Sequence, residues 1–133
     1  MRTVFADTFF FLAQLNPKDE AHLRSVNFTS SYHDRMLTTD WVIVELGDAF
    51  AHPPNRRVFI DFFNQLQSQT KMSIVPSGRE LLESGLRLYA NRLDKDWSLT
   101  DCISFVVMQR ERITEALTAD HHFEQAGFTA LLK

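Results

Sequence analysis

Short apolar runs alternate with longer helical patterns along the whole chain, and this alternation limits its fold more than any other feature. Residues 3–6, 35–38, 72–75, 114–119 and 128–132 read as strands. Between them lie helix patterns at 9–15, closed by Asn16-Pro17, and at 18 to about 28. Others run from Thr39-Asp40 to about Phe50 and over 56–69, where Val58, Phe59, Phe62, Phe63 and Leu66 share a side. Ser77-Gly78-Arg79-Glu80 reads as a capping box opening a helix whose Leu81, Leu82, Leu86, Leu88 and Tyr89 face the core, and a short helix reaches Gly127. Strands joined by helices of this length pair in parallel. The expected fold is therefore α/β, a three-layer sandwich around a mainly parallel sheet of about five strands, built as a single domain over residues 1–133.

Such a sheet places functional groups beyond the carboxyl ends of its strands. Asp7 and Asp120 each stand there, directly after an apolar strand. Each is read either as a turn residue capping the next helix or as part of a site. Glu45 falls roughly 40° around its helix from Trp41, inside an arc shared with Val42, Leu46 and Ala49. An acid on that arc needs either an ion pair, with an arginine for example, or a bound cation. Asp48 lies nearer the polar side.

The longest buried-looking pattern, residues 98–112, reads as a central helix. Ser98 followed three residues later by Asp101 is a capping box, and it puts a carboxylate at the positive end of the helix dipole. Asp7, Glu45, Asp101 and Asp120 would then converge at one end of the sheet. Like charges in one cleft repel, and a divalent cation resolves that repulsion. Oxygen-only ligands suit Mg²⁺ or Mn²⁺, ions fitted to phosphoryl chemistry.

Composition narrows the alternatives. The single cysteine, Cys102, excludes an internal disulfide and a cysteine zinc site, and its apolar setting makes it a core residue. A net charge of −3 argues against holding nucleic acid by overall charge, though not against a local basic rim or a polyanion met through metal. The apolar runs are too short to span a bilayer, and Met1 to Asp7 carries no secretory pattern, so a cytoplasmic protein is expected.

Val4-Phe5-Ala6-Asp7-Thr8, residues 38–46, residues 96–105 and residues 115–123 through Gly127-Phe128 together resemble the PIN domain, closest to the VapC-type toxins of bacterial toxin–antitoxin systems. The resemblance implies a metal-dependent endoribonuclease that hydrolyses RNA phosphodiesters with metal-activated water, leaving a 5′-phosphate and a 3′-hydroxyl. It implies that Asp7, Glu45, Asp101 and Asp120 are the catalytic acids and hold one or two Mg²⁺ or Mn²⁺ ions, with Thr8 and Thr100 in support. It also implies a homodimer and a cognate antitoxin whose C-terminal segment lies in the active-site groove. Asp96 falls on an often acidic position and is not assigned as a ligand.

One departure stands out. Phe9 follows Asp7-Thr8 where relatives often carry a second small polar residue, so poorer hydrogen bonding around Asp7 is expected. The same Phe9 speaks against a phosphatase with an Asp nucleophile, which would want a second acid there. The alternative within the family is a catalytically weak PIN-fold module that binds antitoxin or RNA. His121 and His122 read as helix-start or surface histidines, since the expected metal prefers oxygen. Arg56, Arg57, Lys71, Arg79, Arg87, Arg92 and Lys95 are the basic residues available to an RNA backbone.

Overall fold

The computed structural model describes residues 1–133. Its strands are β1 (Thr3–Ala6), β2 (Arg35–Thr39), β3 (Met72–Val75), β4 (Glu115–Leu117) and β5 (Thr129–Ala130). The helices are α1 (Thr8–Leu15), α2 (His22–Ser31), α3 (Asp40–Ala49), α4 (Asn55–Gln67), α5 (Arg79–Asn91), α6 (Leu99–Arg110) and α7 (His121–Gln125). All pairings are parallel and the strand order is β3-β2-β1-β4-β5, the α/β sandwich that the alternation implies.

β1 is central because it is the most apolar strand: Val4, Phe5 and Ala6 are fully buried. It pairs with β2 on one side and β4 on the other, so the chain reverses its direction of travel across the sheet at β1. A parallel sheet leaves a crevice beyond the carboxyl ends at such a reversal. Asp7 stands there after β1, and Thr118 and Asp120 follow β4.

Behind the crevice, α6 buries Cys102, Ile103, Ser104, Phe105, Val107 and Met108. The Phe105 ring meets Trp97 edge-on at 5.0 Å and Phe123 at 4.9 Å, and Phe123 continues to Phe5 at 6.4 Å. Edge-to-face aromatic pairs add about 0.5–1.5 kcal/mol each beyond area burial. This chain of rings ties α6 and α7 to the central strand. α5 lies against α6 at Gly85, where a Cβ would stand 2.4 Å from Ile103 Cγ1.

Several boundaries differ from the sequence pattern. α2 starts at His22, because the side chains of Asn16 and Asp19 accept from the Lys18 and Ala21 amides and hold that segment in turns. β4 stops at Leu117, where the Thr118 N–H folds back onto Ala116 O at 3.0 Å. β5 spans only the two residues paired with Glu115 and Ala116. The second capping box does not form: Gly78 is the N-cap, and Glu80 instead takes Arg110 at 2.7 and 2.9 Å and Ser84 at 2.7 Å. The Arg110 and Ser84 bonds hold the Glu80 carboxyl down at about 2. Leu81, Ser84 and Gly85 form the face of α5 that meets α6, so Leu86 and Tyr89 point outward, 43% and 48% exposed. No helix is long and apolar enough to cross a membrane.

Candidate active site

Asp7 caps nothing. It occupies the N-cap position of α1 in extended conformation, and its side chain makes no capping bond, so the helix-cap reading fails here. The carboxylate is 6% exposed, and Oδ2 accepts from the Thr118 hydroxyl at 3.0 Å. That donor directly follows β4, so the hydrogen bonding expected to be poor because of Phe9 is supplied from the neighbouring strand's end. Burial first, then the Asp101 charge, pushes the Asp7 carboxyl up to about 7; the Thr8 amide and Thr118 act the other way, and Glu45 adds to the rise.

Glu45 reaches the crevice from α3, whose start is fixed by Thr39: its hydroxyl accepts from the Val42 amide at 3.1 Å. Oε1 of Glu45 accepts from the Thr8 hydroxyl at 2.5 Å. No arginine or lysine pairs with Glu45, so the ion-pair reading fails; the side chain is half-buried, with the Thr8 hydroxyl as its donor. Asp48 is exposed, on the polar side as expected.

Asp101 stands in the capping box of α6. Its amide donates to Ser98 Oγ at 3.0 Å, and its Oδ2 accepts from the Ser98 amide at 3.3 Å. Burial, then Asp120, raises its carboxyl, opposed by the Ser98 amide and by His122. Asp120 does cap a helix: Oδ1 accepts from the His122 amide at 2.9 Å at the start of α7. Its own amide donates to the Thr118 hydroxyl at 3.1 Å.

Each of the four acids thus has one oxygen held by a protein donor: Asp7 Oδ2, Glu45 Oε1, Asp101 Oδ2 and Asp120 Oδ1. The second oxygen of Glu45, Asp101 and Asp120 accepts no hydrogen bond from the protein, and Asp7 has the Thr8 amide as a further donor. No lysine or arginine forms an ion pair with any of them. Oriented carboxylates with no lysine or arginine counter-charge fit a hard divalent cation.

A PIN domain family model matches residues 4–129. The chain belongs to the PIN domain family. This PIN domain superposes with a TM-score of 0.86 on Mycobacterium tuberculosis VapC20, a sarcin–ricin loop cleaving toxin, at 22% identity over 95% of this chain and 96% of that one. FitAcB from Neisseria gonorrhoeae gives 0.67 at 16% identity over 96% and 94%. VapBC2 from Rickettsia felis, bound to a DNA fragment from its promoter, gives 0.69 at 9% identity over 96% of each chain. The fold is that of VapC-type toxins. No curated protein sequence matches the chain.

Sequence reasoning missed two residues of this PIN domain's crevice. Thr118 joins Asp7 to Asp120, and its only signal was a hydroxyl two positions before an acid at a strand end. His122 starts α7 as expected but is turned inward rather than to the surface: its side chain is 19% exposed, and Nδ1 lies 3.2 Å from Asp101 Oδ2 and 3.4 Å from Asp120 Oδ1. His121 is a surface histidine, with 66% of its side chain exposed. Thr100 makes no side-chain hydrogen bond to the acids, whereas Thr8 does, through Glu45.

Proposed function

We propose that this PIN domain is a metal-dependent endoribonuclease, the toxin of a toxin–antitoxin pair, with Asp7, Glu45, Asp101 and Asp120 as its catalytic and metal-holding residues. The observation that carries the reading is the set of four acids, each oriented by a protein donor and none paired with a lysine or arginine, at the reversal point of the sheet. An RNA phosphate approaching four carboxylates meets only repulsion unless a cation intervenes. When bound, Mg²⁺ or Mn²⁺ supplies activation of water and neutralisation of charge on the phosphodiester.

The chain's own groups hold that arrangement. Thr118 and Thr8 fix the rotamers of Asp7 and Glu45, and the α6 capping box fixes Asp101. Burial of Asp7 lowers the local dielectric around it, which strengthens electrostatic interactions there. The cytoplasm is the compartment where such an enzyme meets RNA.

The partners that the reading implies are an antitoxin protein and a second copy of the chain. The toxin and toxin–antitoxin likenesses in fold support the first. Leu86, Tyr89 and Leu93, exposed along and just beyond α5, support a face covered by protein. Sedimentation of the purified chain as a monomer would count against the dimer.

The deciding experiment is cleavage of RNA by antitoxin-free protein with Mg²⁺ or Mn²⁺, with sequencing of the RNA ends. Cleavage leaving 5′-phosphates, lost on chelation and reduced about 100-fold or more in Asp7→Asn and Asp101→Asn, is the expected result. Full cleavage by both folded variants would refute the assignment of these acids. A wild-type protein that binds RNA without cutting it would instead favour a binding module.

A further inference from the structure

His122 is held as firmly as the acids around it. The residue before the previous one, Asp120, caps α7 through the His122 amide, and the next, Phe123, is fully buried between Phe105 and Phe5. Gln125, one turn on, accepts the Trp97 indole N–H at 3.0 Å and ties α7 to the segment leading into α6. The imidazole therefore has little freedom, and Nδ1 faces Asp101 Oδ2 at 3.2 Å and Asp120 Oδ1 at 3.4 Å. Ionised carboxylates only accept, so Nδ1 carries the proton and donates. Asp101 Oδ2 has one other donor, the Ser98 amide at the longer 3.3 Å.

We propose that His122 is a positioning residue for the metal site: its Nδ1–H holds Asp101 Oδ2 and draws Asp120 alongside, so that both acids turn their other oxygen to the same divalent ion. The inference rests on the four-acid reading above and goes beyond it by linking α6 and α7 through one donor. Without that donor Asp101 keeps only its capping bond, and Asp120 keeps only its bonds to α7. Their carboxylates then rotate independently, and a divalent ion has to order them at its own expense in affinity.

The test is Mn²⁺ binding, by calorimetry and by electron paramagnetic resonance, to the full chain without RNA. His122→Phe keeps ring volume and removes the donor; His122→Asn places an amide N–H where Nδ1 stands. Mn²⁺ affinity is expected to fall about 10–100-fold in His122→Phe and to return to within about threefold of wild type in His122→Asn. Should His122→Phe fail to fold, His122→Ala carries the same expectation.

Wild-type affinity in the donorless variant, alongside lost affinity in Asp101→Asn, overturns the inference and leaves the four-acid site standing. Failure of His122→Asn to rescue overturns it as well, as does a directly coordinated nitrogen in the resonance spectrum of the wild-type Mn²⁺ protein, which would make His122 a ligand. No Mn²⁺ binding by wild type overturns both readings together.

Discussion

The Thr118 hydroxyl lies 3.0 Å from Asp7 Oδ2, bridging the ends of the two strands that flank the crevice. The same oxygen accepts the Asp120 amide at 3.1 Å, so one buried hydroxyl orients two of the four acids. Thr118→Val keeps the shape and removes the donor, leaving a buried carboxylate oxygen unpaired. The expected loss is about 1–3 kcal/mol of stability in a urea titration, with Thr118→Ser much nearer wild type. Equal stability of the valine and serine variants would show that the bond contributes nothing.

Gly85 sets how closely α5 approaches α6. It is buried inside a helix, where alanine is the better helix former by about 1 kcal/mol. An added Cβ would nonetheless stand 2.4 Å from Ile103 Cγ1 and 3.4 Å from the Ile103 backbone. Overpacking of this kind costs about 1–3 kcal/mol and outweighs the propensity gain. Gly85→Ala is expected to lower the melting temperature, and an unchanged or raised value would show that the two helices separate freely.

Much of this was legible because periodicity and punctuation agree. The parallel α/β sheet, the burial of Cys102 and the capping box at Ser98 and Asp101 all follow from strand ends and helix starts. What was not legible depends on distant neighbours. Glu80 fits a local capping box, yet Arg110 from another helix takes its carboxylate. Leu86 and Tyr89 fit an apolar stripe, yet Gly85 lets α6 settle on the Leu81 side. The role of His122 is set by Asp101, twenty-one positions away, and no local pattern encodes that meeting.

A divalent ion bound to native acids and not to the unfolded chain raises stability by mass action, about 2.7 kcal/mol at a hundredfold excess over Kd. Mg²⁺ or Mn²⁺ is therefore expected to raise the melting temperature of wild type by several degrees. Asp101→Asn keeps an acceptor for the Ser98 amide and so keeps the α6 cap, but it removes one carboxylate from the site. Its shift with metal is expected to be much smaller. Equal shifts in the two proteins, followed by thermal melts at matched ionic strength, would show that the metal acts elsewhere.

Asp7 should make the metal-free protein less stable as pH rises. Its carboxyl is raised in the folded state to about 7, so between the ordinary carboxylate value and about 7 the native protein holds a proton that the unfolded chain has released. Where the native state binds more protons, stability falls with increasing pH. The fall begins near pH 4, is complete just above pH 7, and amounts to at most about 4 kcal/mol from this group, with the raised Asp101 carboxyl adding in the same direction. Asp7→Asn removes the titration while keeping an acceptor for Thr118, so chelator-treated Asp7→Asn is expected to be more stable than wild type at pH 8 and to lose that advantage at pH 4. Saturating divalent metal should reverse the order at pH 8, because it compensates the charge that wild type carries and the variant lacks. Urea titrations at both pH values check this: a wild type more stable at pH 8 than its Asp7→Asn variant without metal would mean that Asp7 is ionised there at no cost.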